Sequence, residues 1–289
     1  MIISKAVIPV AGFGTRFLPI TKTVPKELLP VVNKPVLQYI INEASLAGIN
    51  EFIFVISPEK EIIKEYFKPY PKLEKKLAEK QKLKELEEIK NITKGLKFHY
   101  VMQKEPLGTG HALLQAYKFV KNDNFAYFDG DAIYDSKVPV IKQVIDIFNK
   151  YQADGAIGGT VVDRCNVTRY GNLVVDKIAG REYKLNGVME KPSLEDAPKD
   201  NLVIGGQRYV FSPKIFKYLK TQAPGVGEEI WLADAADKLA KDGNFYACEI
   251  DGKYYDTGNV LEYLKTNIDF ALKDPELKVE LVKYIKSLG

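Results

Sequence analysis

The segment from Ala11 to Glu27, AGFGTRFLPITKTVPKE, sets Gly12 and Gly14 one residue apart and follows them with Arg16, Lys22 and Lys26. Glycines free backbone N–H groups for a bound group, and three cations in one short segment can converge on a single anion. The chemistry this suggests is the holding of a polyphosphate. It is not done by either common phosphate loop. A dinucleotide fingerprint would need a third glycine where Phe17 stands, and the G-x-x-x-x-G-K-[ST] pattern is absent. Pro19, Pro25 and Pro30 predict a stiff, non-helical course after the glycines.

Other groups able to do chemistry lie at intervals along the chain. Gln103 offers a donor and an acceptor on one amide. Asp129-Gly130-Asp131 follows an apolar run, with Asp131 expected to project into a crevice and Asp129 to point away from it. Glu190-Lys191 and Asp256 complete the charged candidates. Cys165 and Cys248 give no disulfide framework and no metal-ligand spacing, and are read as two buried small hydrophobes.

The elements that must position these groups alternate between strand and helix. Strands are expected at Lys5–Val10, Glu51–Ser57, Phe98–Gln103 and Phe125–Phe128, with helices opening at Pro35 and at Thr109. Such alternation implies an α/β fold, a Rossmann-like, mainly parallel mixed sheet flanked by helices. Ligands on such sheets sit at the carboxyl ends of strands, where the 11–16 loop, Gln103 and Asp131 all fall. Lys72 to Lys90 is densely charged with a broken leucine stripe, which predicts an exposed helix or helical pair. Further strands are expected around Ala156–Val162, Tyr170–Val175 and Val203–Phe211. Helices are expected at Pro213–Leu219, Glu229–Lys241, Asn259–Leu272 and Pro275–Leu288. No repeat or linker divides the chain, so residues 1–289 are read as one domain.

Composition narrows the function classes. A net charge of +4 over 289 residues gives little support to a nucleic-acid or membrane-surface role. No window approaches a membrane span, and MIISKAVIPV lacks the pattern of a signal peptide, so a cytoplasmic protein is expected.

The segment GFGTRFLPITKTVPKELLPVVNKP resembles the G-x-G-T-R-x(n)-P-K signature of the sugar-nucleotide pyrophosphorylases, nucleotidyltransferases that act on sugar 1-phosphates. Later segments resemble the UTP–glucose-1-phosphate uridylyltransferase branch in order. They are QKEPLGTGHA at 103–112, GDAI at 130–133, YGN at 170–172, MEKP at 189–192, GVGEEIWLADA at 225–235 and DTGN at 256–259. The charged segment also suits that branch, and the resemblance spans nearly the whole chain. It implies a nucleotide-diphospho-sugar transferase type of fold. Residues of about 1–153 would bind the nucleotide, with a helical excursion at 72–94, and about 154–289 would bind the sugar phosphate and carry the C-terminal helices.

The implied reaction joins glucose 1-phosphate to the α-phosphorus of UTP, giving UDP-glucose and pyrophosphate. A sugar phosphate is already anionic, so no general base is needed, and His99 and His111 are read as structural. What is needed is relief of repulsion between two anions and in-line positioning. The resemblance implies that the main chain at Ala11, Gly12, Gly14 and Thr15 cradles the nucleotide. Arg16 and Lys26 would neutralise the β- and γ-phosphates, and Lys191 would hold the sugar phosphate. Gln103 and the Gly108 backbone would read uracil, with Glu27 fixing the loop or base. Glu190 and the Gly171 main chain would meet the sugar. Asp131, helped by Asp256, would bind Mg²⁺. The resemblance also implies a homodimer or homotetramer.

The sequence departs from that pattern at Trp231, where glutamine is usual, Ala233, where threonine is usual, and Val260, where lysine is usual. An indole at 231 would reshape the sugar pocket. Gly205-Gly206-Gln207-Arg208-Tyr209 is one residue longer than the usual segment, which predicts a bulge near the sugar. Two further readings remain: a thymidylyltransferase or broader sugar-1-phosphate nucleotidyltransferase, and a non-catalytic nucleotide-sugar sensor.

Overall fold

A computed structural model describes residues 1–288, Val226 by its backbone alone. The first half forms β1 (Lys5–Pro9), a small hairpin of β2 (Pro30–Val31) and β3 (Lys34–Pro35), then β4 (Glu51–Ile56), β5 (Lys97–Met102), β6 (Phe125–Phe128) and β7 (Ala132–Asp135). Four of these lie side by side in parallel, in the order β6-β1-β4-β5. Their apolar runs are continuous because both faces are covered. Ala6, Ile8, Phe52 and Phe54 pack with the helices at Val36–Leu46 and Val140–Lys150. Val7, Ile53 and Val55 face the opposite layer, which holds the helices at Gly108–Gln115 and Leu232–Asp242.

The second half adds β8 (Gly155–Val161), β9 (Gly171–Ala179), β10 (Glu182–Glu190), β11 (Leu202–Val203), β12 (Arg208–Phe211), β13 (Phe245–Glu249) and β14 (Lys253–Asp256). It extends the same sheet to ten strands, ordered β11-β9-β10-β13-β8-β12-β6-β1-β4-β5. Here the expectation of a mainly parallel sheet is corrected. Only β13 with β8 is parallel in this half, and β12 runs antiparallel to both β6 and β8. The tight turn at Gly180 can join β9 and β10 only as antiparallel neighbours, because a parallel pair needs a long crossover. The sheet is mixed. β7 and β14 form a separate ribbon that pairs Asp256 with Ala132.

Other expectations shift locally. The helix expected from Thr109 divides into Gly108–Gln115 and Tyr117–Val120. The strand expected at 203–211 is interrupted by a bend at Gly206, so the extra residue makes a break between β11 and β12 rather than a bulge. The charged segment is the expected helical pair, Pro71–Glu79 and Leu83–Asn91, and neither helix buries a residue. Cys248 is buried as expected, but Cys165 is exposed. Among the described residues no helix is long and apolar enough to cross a membrane.

One buried charge ties these layers together. Arg208 on β12 donates to Glu43 from Nε and Nη2 (3.1 and 2.8 Å) and to the Ala132 carbonyl (2.8 Å). It thereby links the central sheet, the first helix and the β7–β14 ribbon.

Candidate active site

The glycine loop leaves β1 at the carboxyl edge of the sheet. After Gly14 (φ 67°) the chain makes three short 3-10 turns, Thr15–Phe17, Ile20–Lys22 and Lys26–Leu28, rather than an α-helix, as its prolines demand. Phe17 is buried edge-on against Tyr263 (5.4 Å between centroids) and pins the first turn. Among the described residues, apart from its chain neighbours, nothing lies within 4 Å of where a side chain on Gly12 would start, so a ligand can approach the backbone there.

The turns deliver Lys26 to Asp131, with which it forms a short ion pair. Burial alone would lower the Lys26 ammonium, but the carboxylates of Asp131 and Glu27 outweigh it and hold it above its ordinary value. Glu27 turns inward and accepts from Lys60 at 2.7 and 2.9 Å. Both are almost fully buried, and burial drives each toward its neutral form, Glu27 upward and Lys60 downward. Lys60 comes from the turn after β4, and nothing near it in sequence announces its partner.

Asp131 and Asp256 approach each other through the DTGN turn. Thr257 Oγ1 donates to the Asp131 carbonyl at 2.6 Å, and the Gly258 N–H donates to Asp256 at 3.0 Å. A Cβ at 258 would stand 2.7 Å from Asp131 Oδ2 and 3.2 Å from Asp256 Oδ1, so only glycine fits between the two carboxylates. Burial raises the Asp256 carboxyl, with Asp131 adding to it. Arg16 reaches the same turn, donating to the Gly258 carbonyl at 3.4 Å. Asn259 then caps the helix at Val260–Ala271, accepting from the Leu261 and Glu262 N–H groups.

Asp129 corrects an expectation. It lines the same cleft as Asp131 instead of pointing away, because residues two apart in an extended chain share a side. Burial, then the neighbouring Asp131 charge, push its carboxyl up to about 7, and its Oδ2 accepts from the Gln207 N–H at 3.1 Å.

On the base side, Gln103 is held at the end of β5 by its N–H to the Ile56 carbonyl (2.8 Å). Its amide nitrogen donates to the Gly108 carbonyl at 3.2 Å and lies 3.0 Å from His111 Nδ1. Gly108 has φ 91°, and a Cβ there would meet the Ile230 carbonyl at 2.7 Å. The start of the Gly108–Gln115 helix is laced to residue 230 by Ile230 N–H to Leu107 O (2.9 Å) and Gly110 N–H to Ile230 O (2.7 Å). Base-side and sugar-side loops are therefore one unit.

On the sugar side, Gly171 and Glu190 are opposite partners on β9 and β10, and a Cβ at 171 would lie 3.0 Å from Glu190 Oε2. Lys191 follows with φ 40°, a left-handed conformation that costs a non-glycine residue energy. Its N–H donates to the Tyr170 carbonyl at 3.2 Å, and its ammonium lies 3.7 Å from Glu190. Buried Asn172 supports this edge by donating to the Val167 and Tyr170 carbonyls, each at 2.8 Å.

These walls enclose one open cleft of about 580 Å³. Ala11, Gly12, Arg16, Lys26, Glu27, Gln103, Gly108, Asp131, Gly171, Glu190, Lys191 and Asp256 all line it. Gly14, Thr15 and Lys22 do not; Gly14 instead packs against Thr21 and the Lys26 stem. Trp231 and Ala233, two of the departures from the family pattern, line it too, as do Gly205 and Gln207 from the longer segment. Sequence reasoning missed Lys60, Arg169 and Glu229. Arg169 stands one residue before the YGN motif and Glu229 lies within GVGEEIWLADA, so both could have been found there; Lys60 carried no local signal.

Among the described residues no cluster of three or more metal-ligating side chains occurs. Two carboxylates on one glycine suit a hard cation that draws its other ligands from phosphate oxygens and water.

The nucleotidyl transferase family model matches residues 5–272. A UTP–glucose-1-phosphate uridylyltransferase of Staphylococcus haemolyticus is 43% identical over 287 residues, covering 99% of each chain. A UTP-bound UGPase from Acinetobacter baumannii superposes with a TM-score of 0.91 at 35% identity, covering all of both chains. A UDP-glucose pyrophosphorylase complexed with UDP-glucose gives 0.84 at 35% identity, covering 94% of this chain and all of that one. With a matching loop, a matching order of motifs and likeness along its whole length, the chain belongs to the nucleotidyl transferase family, on its UTP–glucose-1-phosphate uridylyltransferase branch.

Proposed function

We propose that the protein transfers uridylyl from UTP to α-D-glucose 1-phosphate, releasing pyrophosphate. The observation that carries this reading is one cleft with a base-reading amide at one end, a sugar-facing carboxylate at the other and cations between. An oxygen of the sugar phosphate forms a bond to the α-phosphorus of UTP as the bond to the β-phosphate bridging oxygen breaks. The electron pair leaves with pyrophosphate, and no proton has to be removed from the nucleophile. Arg16 and Lys26 face the departing pyrophosphate, and Lys191 holds the incoming phosphate beside it. Lys26 is paired with Asp131 in the protein alone, and its ammonium keeps further N–H donors for a phosphate. Ala11 and Gly12 offer backbone to the nucleotide, Gln103 and Gly108 read the base, and Glu190 accepts from glucose hydroxyls beside the Gly171 main chain. Asp131 and Asp256 would hold a Mg²⁺ ion, which supplies neutralisation of charge between the two anionic substrates.

Leu261, Leu264 and Ile268 on one terminal helix and Val279 and Tyr284 on the next are exposed, which supports a homodimer or homotetramer. The transfer itself is tested with UTP labelled at the α-phosphorus. Label recovered in UDP-glucose supports the reading, and label left in UDP or UMP with none in UDP-glucose refutes it.

A further inference from the structure

The Gln103 amide is not free to present either end to a base. The Gly108 carbonyl can only accept a hydrogen bond, so the nitrogen of the Gln103 side chain must face it, at 3.2 Å. That orientation brings the same nitrogen within 3.0 Å of His111 Nδ1. Nδ1 must then be the accepting nitrogen and the ring proton sits on Nε2. The Gln115 side-chain nitrogen, 2.9 Å from Nε2, cannot accept that proton, so the Gln115 amide must be turned over to place its Oε1 there. His111 and Gln115 are four residues apart on the helix at Gly108–Gln115 and so share a face. Both N–H bonds of Gln103 are thereby taken. Its Oε1, which has no partner among the described residues, is the end left for the cleft that Gln103 lines. Burial favours the neutral ring this arrangement needs, against a smaller opposing pull from Glu105.

We infer that His111 is a positioning residue for base selection: it accepts a hydrogen bond from Gln103 and thereby fixes Oε1 as an acceptor toward the nucleobase. An acceptor there pairs with the N3–H of uracil and repels the N3 lone pair of cytosine, which marks UTP from CTP without any contact between His111 and the nucleotide. Thymine carries the same N3–H, so this device does not separate UTP from dTTP. The inference rests on the reading of Gln103 as the base contact, and the two can fail separately.

The test compares kcat/KM for UTP and for CTP, at saturating glucose 1-phosphate, in the wild type and four variants. His111→Phe keeps a ring of similar shape without the acceptor, and His111→Leu removes both, so misfolding of one leaves the other. With one hydrogen bond lost and the amide free to turn over, the UTP-to-CTP ratio should fall by on the order of ten-fold in either. Turnover at saturating UTP should change little, because the reacting atoms are untouched. His111→Asn places Oδ1 near the position of Nδ1 and should restore the ratio. Gln103→Ala should lower the ratio as well. If the ratio falls in Gln103→Ala but holds in the Phe and Leu variants, or if Asn behaves like them, His111 does not set the amide. If Gln103→Ala leaves the ratio unchanged, the base assignment fails with it.

Discussion

Replacing Lys60 by methionine isolates the buried pair beneath the Lys26–Leu28 turn. The side chains of Lys60 and Glu27 are 8% and 1% exposed, and their two contacts of 2.7 and 2.9 Å are the ammonium's means of meeting that carboxylate. Removing one partner of such a pair costs ~3–5 kcal/mol, because the other charge stays buried alone. Against a total stability of ~5–15 kcal/mol this is severe, and at ~2–4 °C per kcal/mol it lowers Tm by on the order of 10 °C. The loss depends on pH. Burial already raises the Glu27 carboxyl above its ordinary 4.5, and loss of Lys60 removes the largest influence opposing that rise. The folded protein then holds a proton on Glu27 where the unfolded chain has released it. Stability therefore falls as pH rises from 4.5 through the raised folded value. Urea denaturation at several pH values measures both effects. Glu27→Leu combined with Lys60→Met should recover most of the stability, since an apolar pair of similar volume has no charge to desolvate. A single variant within ~1 kcal/mol of wild type at pH 7, or a double variant no better than the single, would refute the reasoning.

Asp131→Asn should slow turnover on the order of 10²–10³-fold and raise the Mg²⁺ needed for half-maximal rate, measured by pyrophosphate release. Asp129→Asn should cost less but is no silent control, since Asp129 lines the cleft and receives the Gln207 N–H; identical behaviour of the two would count against the metal site. Lys191→Ala should lower turnover much more than it lowers UTP affinity by calorimetry, and the reverse pattern would overturn its placement on the second substrate.

The parallel half of the sheet was legible because each buried strand is a short apolar run that stops at a chemical residue, as Phe125–Phe128 stops at Asp129. The antiparallel half was less so. Glu182–Glu190 is half exposed and carries Lys184, Asn186 and Glu190 among its apolar residues, so no run marks it. The helix at Val140–Lys150 does carry the helical spacing, in Val140, Ile141, Val144, Ile145 and Phe148, but was not among the expected elements. Most of the candidate site was readable because its residues sit in contiguous motifs. What was not readable came from pairing across the chain: Lys60 finds Glu27 from 33 residues away. Asp129 was misplaced by a local rule applied with the wrong phase. Gly14 and Thr15 belong to the loop but are not among the residues lining the cleft, a distinction that spacing does not carry.

The central claim is most directly tested by measuring pyrophosphate release across a matrix of UTP, dTTP and CTP against glucose, galactose and mannose 1-phosphates, with Mg²⁺ present and after its removal by EDTA. The highest kcat/KM should belong to UTP with glucose 1-phosphate, with UDP-glucose formed in equal amount and the rate abolished by EDTA. Absence of release from that pair, or a full rate in EDTA, would contradict the account.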